Sequence, residues 1–309
     1  MSRKRIGVVY LTDGRRDDLT YASVLSLGLN HAREIDIHIV QSGFRSAPPA
    51  AVLRVLQARG HQLATHALSQ VDRGLPGHGH ITSTAYEKSE AIAAVSGEHE
   101  VVCYLDNDTL VMRPLDLAHA APKTQPLAAV ADLSISTGFD NPAFFKNCEE
   151  HGLERRYFNS GMIALNVSRW ICSGIPERYE SLIQTHANFC PYWNGSCIHV
   201  DQCAFNIAAN RRWEALPLDF NVQKSAFQTS HWHRALIRHY TGPEKFLPAR
   251  AHRTDSRERA VLCRISRECQ ELGLEIPPAY LGLPYWANGL RRNADRSKIS
   301  RLIDQFLAV

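Results

Sequence analysis

Five apolar residues in a row, Val101-Val-Cys-Tyr-Leu105, stop abruptly at Asp106-Asn107-Asp108. A run with no polar alternation is the pattern of a strand covered on both faces, and such strands belong mostly to parallel sheets clad with helices. The chain ahead of it has the matching rhythm. Ile6 to Leu11 reads as a first strand, Asp13 to Asp18 as a polar loop, Tyr21 to Ala32 as a helix and Ile35 to Val40 as a second strand. Residues 50 to 59 suit a helix and Gln62 to Leu68 a third strand. This βαβαβ order predicts an α/β fold with a mixed or parallel sheet flanked by helices. In open sheets of this kind ligands gather beyond the carboxyl ends of strands, and the acidic triplet sits at such an end.

Further along, Gly74 to His80 reads as a flexible loop, about Ser83 to Val95 as a helix and Leu127 to Ala131 as a strand. The segment from Gly138 to Glu154 reads as loop-rich, and Met162 to Val167 as a strand. Ser168 to Ser173 starts a helix that Gly174 and Pro176 interrupt. The last sixty or so residues turn Arg-rich and helical, with a break at Pro277-Pro278. The expected division is an α/β domain over 1–250 and a helical extension over 251–309.

With 44% hydrophobic and 21% charged residues the chain can build a sizeable core. A formal net charge of +4, with no Lys/Arg-rich run in its body, is too mild for a nucleic-acid surface. The apolar run at Ile6 is too short for a secretory leader, and no stretch approaches the ~20 apolar residues of a spanning helix. The chain is expected to be soluble and cytoplasmic, at most peripheral at an inner membrane face. Eight cysteines without an export signal read as free thiols. Cys190, Cys197, His199 and Cys203 raise a zinc site, but cysteine spacings of seven and six residues lack the tight Cys-x2-Cys pairs of such sites.

Asp106 and Asp108, two apart in extended chain, point the same way. Unless solvated as ordinary turn residues, they would repel each other without a cation between them. A hard divalent ion meets that need and leaves positions open for diphosphate oxygens. A competing enzyme reading is the first motif of haloacid-dehalogenase-type phosphatases, with Asp106 as nucleophile. Those enzymes also need a downstream Gly-Asp, and the sequence has none.

Three further segments decide between these readings. Tyr157-Phe-Asn-Ser-Gly-Met-Ile-Ala-Leu-Asn-Val-Ser-Arg-Trp170 resembles the Phe-Asn-x-Gly…Asn-x-x-x-Trp segment of glycosyltransferase family 8. Asp201-Gln-Cys-Ala-Phe-Asn206 resembles its Asp-Gln-Asp-x-x-Asn, and His239-Tyr-Thr-Gly-Pro-Glu-Lys245 its His-Tyr/Phe-x-Gly-x-x-Lys-Pro-Trp. With the Asp-x-Asp triplet these make four motifs in family order over roughly residues 6 to 248.

The resemblance implies a GT-A (Rossmann-like) catalytic domain over 1–250, with nucleotide-sugar binding in 1–135 and the acceptor and sugar side in 136–250, a divalent metal and a UDP-sugar donor. Transfer of glucose or galactose with retention to a glycan, such as lipopolysaccharide or another surface glycan, follows from it. Asp106, Asp108 and His239 would ligate the metal, and an imidazole shifts the expected ion from Mg²⁺ toward Mn²⁺. Asn107 belongs to the same donor-side turn, Lys245 would meet the diphosphate, and Gly242 would let the backbone approach it. Lys88 stands where the family commonly has an Arg. Leu11, Thr12 and Asp13 match the segment that holds uracil and ribose, with Tyr21 nearby. Asp132, Asn159 and Asp201 would contact the transferred sugar, and Gln202 would lie beneath the anomeric carbon. A chain that binds the donor and transfers nothing is the non-enzymatic alternative.

Two departures bear on the sugar. Cys203 replaces the second Asp of Asp-Gln-Asp, and Phe246-Leu247 replaces Pro-Trp; both are expected beside the sugar pocket or its lid. Loops over 136–156 and 186–200 are expected to shape the acceptor side, which His78 and His80 could also meet. In the tail, basic residues from Arg291 precede an apolar face of Ile299, Leu302, Ile303, Phe306 and Leu307. Residues 290–309 would dock on the catalytic domain or, alternatively, lie on an anionic membrane bearing a lipid-linked acceptor.

Overall fold

The computed structural model describes residues 5–69, 82–136, 142–186, 189–197, 199, 201–227, 229–242, 245–247, 256–274 and 299–305. Its strands are β1 (Gly7–Thr12), β2 (Asp36–Ser42), β3 (Gln62–Leu68), β4 (Val101–Leu105), β5 (Thr109–Val111), β6 (Leu127–Ala131), β7 (Phe158–Asn166), β8 (Trp213–Ala215), β9 (Val222–Gln223) and β10 (Ile237–His239). A seven-stranded sheet runs in the order β3-β2-β1-β4-β7-β6-β8, and a small second sheet in the order β5-β10-β9. β3, β2, β1 and β4 are mutually parallel, whereas β7 lies antiparallel to both β4 and β6. The central sheet is therefore mixed.

Alternation along the buried strands divides the core between the two faces of the sheet. Val8 and Tyr10 of β1 and Cys103 and Leu105 of β4 join one cluster, with Val24 and Leu27 of the helix Asp17–Asn30. Val9 and Leu11, with Val102 and Tyr104, join the opposite cluster, against Ile92 and Val95 of the helix Lys88–Ser96. Each such side chain contributes roughly 1.5–3 kcal/mol by leaving water, so continuous burial on both faces is what keeps β1 and β4 central. A third cluster gathers Phe144, Cys148, Tyr157, Cys190, Tyr192 and Cys203 beside the sheet.

Several elements differ from the sequence expectation. The first helix begins at Asp17, so only Asp13 to Arg16 remain as the loop after β1; Asp17 and Asp18 occupy its first turn, where acidic groups favour the helix dipole. The segment read as loop-rich contains a helix, Pro142–Glu150. Pro142 opens it, and Phe144, Asn147 and Cys148 form its buried stripe. β7 starts four residues ahead of Met162, at Phe158. The helix after it does break at Gly174, which takes φ +67°, and a new one runs from Ile175 to His186.

The extension contributes the helix Ser256–Glu271 and a turn of helix at 299–305. Cys269, Leu274 and Ile303 are buried in the same cluster as β1, and Asp304 Oδ1 lies 2.8 Å from His231 Nε2. That contact matches the docking alternative for the tail. Residues 290–298, Phe306, Leu307 and Pro277-Pro278 lie outside the described residues, as do His78 and His80 with their loop. Among the described residues no helix is long and apolar enough to cross a membrane.

Candidate active site

Chain order reverses between β1 and β4: β1 leads away to β2 on one side, and β4 returns on the other. Their carboxyl ends open a crevice there. Leu11 and Thr12 end one strand, Asp106 follows the other, and Asn107 Nδ2 donates to Leu11 O at 2.7 Å across the gap. The resulting cleft of about 640 Å³ is lined by Leu11, Thr12, Asp13, Lys88, Asp106, Asn107, Asp108, Asp132, Asn159, Asp201, Gln202, His239, Gly242 and Lys245. Of the donor-side and sugar-side residues singled out from the sequence, all but Tyr21 face this one space.

The small sheet brings the distant histidine to the acidic pair. β10 runs antiparallel to β5 with His239 opposite Thr109, and Tyr240 N donates to Asp108 O at 2.9 Å. One ligand atom from each of Asp106, Asp108 and His239 can be chosen so that all lie within 4.8 Å of one another. His239 Nε2 is 3.0 Å from Asp108 Oδ1 and 3.6 Å from Asp106 Oδ2. Its Nδ1 is 3.0 Å from Asn159 Oδ1 and 3.1 Å from Asn221 Oδ1, two acceptors that orient the ring and leave Nε2 turned toward the acidic pair.

The residues fit a divalent ion. Asp108 Oδ1 is buried without a hydrogen bond of good geometry despite the nearby imidazole. Gly161 keeps the space open, since a Cβ there would stand 2.0 Å from His239 Cε1 and 2.9 Å from Asp106 Oδ2. Burial alone would raise the Asp108 carboxyl, but Lys245 and His239 outweigh it and hold the group well below the usual carboxylate range. It is ionised and ready to ligate.

Beside this trio lies a buried polar network. Lys88 Nζ is 2.8 Å from Asp201 Oδ2, 3.1 Å from Asp106 Oδ1 and 3.1 Å from Ser160 Oγ. Burial would lower its pKa, but the Asp106 and Asp201 charges overcome this and keep it cationic above the ordinary lysine value. Gln202 Oε1 accepts from Asn159 Nδ2 at 3.0 Å and Ser160 N at 3.1 Å, while its Nε2 donates to Asp132 Oδ2 at 3.0 Å. Asp132 Oδ2 also accepts from Asn159 Nδ2 at 3.0 Å. Apart from half-buried Asp106 these side chains are buried, so the network is held in one orientation.

Some expectations change in detail. Tyr21 packs in the core beside β1. Gly242 takes φ +83°, a backbone conformation that by itself favours glycine. Cys203 turns away from the cleft into the third cluster, against the Tyr157 hydroxyl at 3.0 Å. Phe246 and Leu247 are buried in the core, with Phe246 packed on the Tyr240 ring. Sequence reasoning missed Tyr104, whose hydroxyl donates to Asp106 Oδ1 at 2.9 Å, although its position two before Asp106 puts it on the same face. It also missed Asn221 and Gly161. Gly161 lies within a quoted motif, and Asn221 carries no local signal.

The model of the family described as glycosyl transferase family 8 matches residues 10–246. Among solved structures the chain is similar to the galactosyltransferase LgtC, solved with donor and acceptor sugar analogues. The two share 19% identity and a TM-score of 0.64 over 86% of this chain and 99% of that one. It is also similar to the bifunctional glycosyltransferase WbbM, with 16% identity, a TM-score of 0.59 and coverage of 79% of this chain and 47% of that one. GlyE from Streptococcus pneumoniae matches with 19% identity and a TM-score of 0.57 over 90% of this chain and 66% of that one. No curated protein sequence matches the chain. These likenesses identify the mixed sheet and its flanking helices as a GT-A fold, as expected, and set aside the phosphatase alternative.

Proposed function

This chain belongs to glycosyltransferase family 8, and on that premise we propose that it moves a hexose, glucose or galactose, from a UDP-sugar to a glycan acceptor with retention of configuration. The observation that carries this reading is the meeting of Asp106, Asp108 and His239 at one point of the cleft, with Lys245 beside them. Those three would hold a divalent ion, Mn²⁺ by preference for an imidazole-bearing set, and the ion would neutralise charge on the departing diphosphate.

The chain's own groups supply the rest. Lys245, now paired with Asp108, adds a cation that can turn to the diphosphate. Thr12 and Asp13 at the end of β1 face the nucleoside, with Asn107 holding that strand end against the acidic turn. Asp132, Asn159 and Asp201 face the sugar. Gln202 is a poor nucleophile as a carboxamide, and both ends of its amide are already hydrogen-bonded. This favours front-face transfer: the acceptor oxygen bonds to the anomeric carbon as the bond to the diphosphate breaks, and the acceptor's proton passes to a diphosphate oxygen. Gln202 then stabilises the positive charge that develops on the sugar.

A panel of nucleotide sugars in thermal-shift measurements with Mn²⁺ tests the donor. UDP-glucose or UDP-galactose should raise the melting temperature, as ligands specific to the native state do. A rise with GDP- or ADP-sugars and none with UDP-sugars overturns the donor assignment. UDP binding with neither hydrolysis nor transfer favours the binding-protein alternative.

A further inference from the structure

Cys190, Cys197 and Cys203 are distant from the Asp106 site in chemistry and are unused by the proposed transfer. The fold draws their sulfurs within 4.8 Å of one another, although their sequence spacing lacks the tight pairs of a zinc motif. None of the three is in a disulfide. Cys190 closes a tight turn, pairing with Gly195 through Cys190 N to Gly195 O at 2.7 Å, with Asn194 at φ +49°. Inside that turn Trp193 N donates to Cys190 O at 3.1 Å. Cys203 comes from the first turn of the helix Asp201–Ala209, immediately after Gln202.

We propose that Cys190, Cys197 and Cys203 form a thiolate site for a soft divalent ion, Zn²⁺, which ties the Cys190–Gly195 turn to the helix bearing Asp201 and Gln202. Three sulfurs at one point supply the ligands of a tetrahedral zinc centre, with the fourth position left to a solvent molecule. Cys197 and Cys203, then the backbone at Trp193 and Tyr192, hold the Cys190 thiol below its ordinary range, while burial and then Cys190 and Cys197 push Cys203 up. Three sulfurs held this close share their protons, and a cation among them would take the place of those protons. Phe144, Tyr157 and Tyr192 wall the cluster, and Cys197, half-buried, gives the ion a way in. The ion would position the helix and take no part in transfer.

Cobalt substitution in the full chain separates this site from the Asp106 site, because only a sulfur-bound Co²⁺ shows thiolate charge-transfer absorption. Expected is about one equivalent of tetrahedral, thiolate-bound Co²⁺, displaced by Zn²⁺. The absorption should persist in Asp108→Asn and in the exposed-cysteine control Cys172→Ser. It should vanish in Cys197→Ser, a half-buried position whose circular dichroism should remain native. No thiolate band in the wild-type chain, a band undiminished in Cys197→Ser, or a disulfide joining two of the three in freshly purified protein overturns the proposal.

Discussion

Gly161 stands opposite the acidic turn, its carbonyl accepting from Asp106 N at 2.8 Å, and has no room for a side chain. Gly161→Ala should push His239 from its place and cost about 1–3 kcal/mol as an overpacked core site. Unfolding in urea with and without Mn²⁺ checks this: metal stabilisation should disappear in the variant, and retention of full stabilisation would show that the ligands lie elsewhere. Gln202→Ala should lower turnover about 10²–10³-fold while donor affinity stays nearly constant, because the amide acts on charge that develops only in the transition state. Wild-type turnover in that variant removes Gln202 from the mechanism. Lys88→Met should destabilise the fold by roughly 3–5 kcal/mol, since buried Asp201 would be left uncompensated and half-buried Asp106 would lose its cation. Equilibrium denaturation reads that directly, and a loss below about 1 kcal/mol would mean water reaches the pair.

At the scale of elements, β4 was legible because both of its faces are buried and its end is marked by acid. β7 was legible only in its second half. Asn159, Ser160 and Gly161 serve the site rather than the core, so they break the apolar pattern where the strand begins. The helix Pro142–Glu150 was hidden for a related reason: its apolar stripe is short, and the Gly, Asn and Pro ahead of it signal a turn. The cysteine cluster was only hinted at by the closeness of Cys190, Cys197 and Cys203 in sequence, and Asn221 not at all, because tertiary packing brings them to their partners. β2 carries a further consequence. His38 Nδ1 is 2.9 Å from His66 Nε2, and His38 Nε2 is 2.8 Å from His99 Nε2. Burial, then the neighbouring imidazoles, lower the His38 pKa from 6.5 to about 4. The native state thus keeps His38 neutral while the unfolded chain takes up a proton. Stability is therefore whole above pH 6.5 and declines as pH falls from there toward about 4. Urea midpoints across that window should fall in the wild-type chain and fall less in His38→Asn; parallel curves would show that His38 does not carry the effect.

Across the whole molecule, the extension shares a core with the strands that frame the cleft. Ile303, 1% exposed, is the buried contact of its last described helical turn. Ile303→Ala should cost about 2–5 kcal/mol in a single cooperative transition, whereas an unchanged midpoint would mean the tail leaves the domain in solution. The motifs that identified the family lie on β4, β7, β10 and the helix Asp201–Ala209, far apart in sequence and converging in one cleft. Their convergence makes the divalent ion central to the proposed chemistry. The most direct test is the release of UDP from UDP-glucose and UDP-galactose as Mn²⁺ is titrated into chelator-treated wild-type and Asp108→Asn protein. Release should rise from background with added metal in the wild type and stay near background in the variant. Equal release in both proteins, or full release with chelator present, would contradict the proposed metal-dependent transfer.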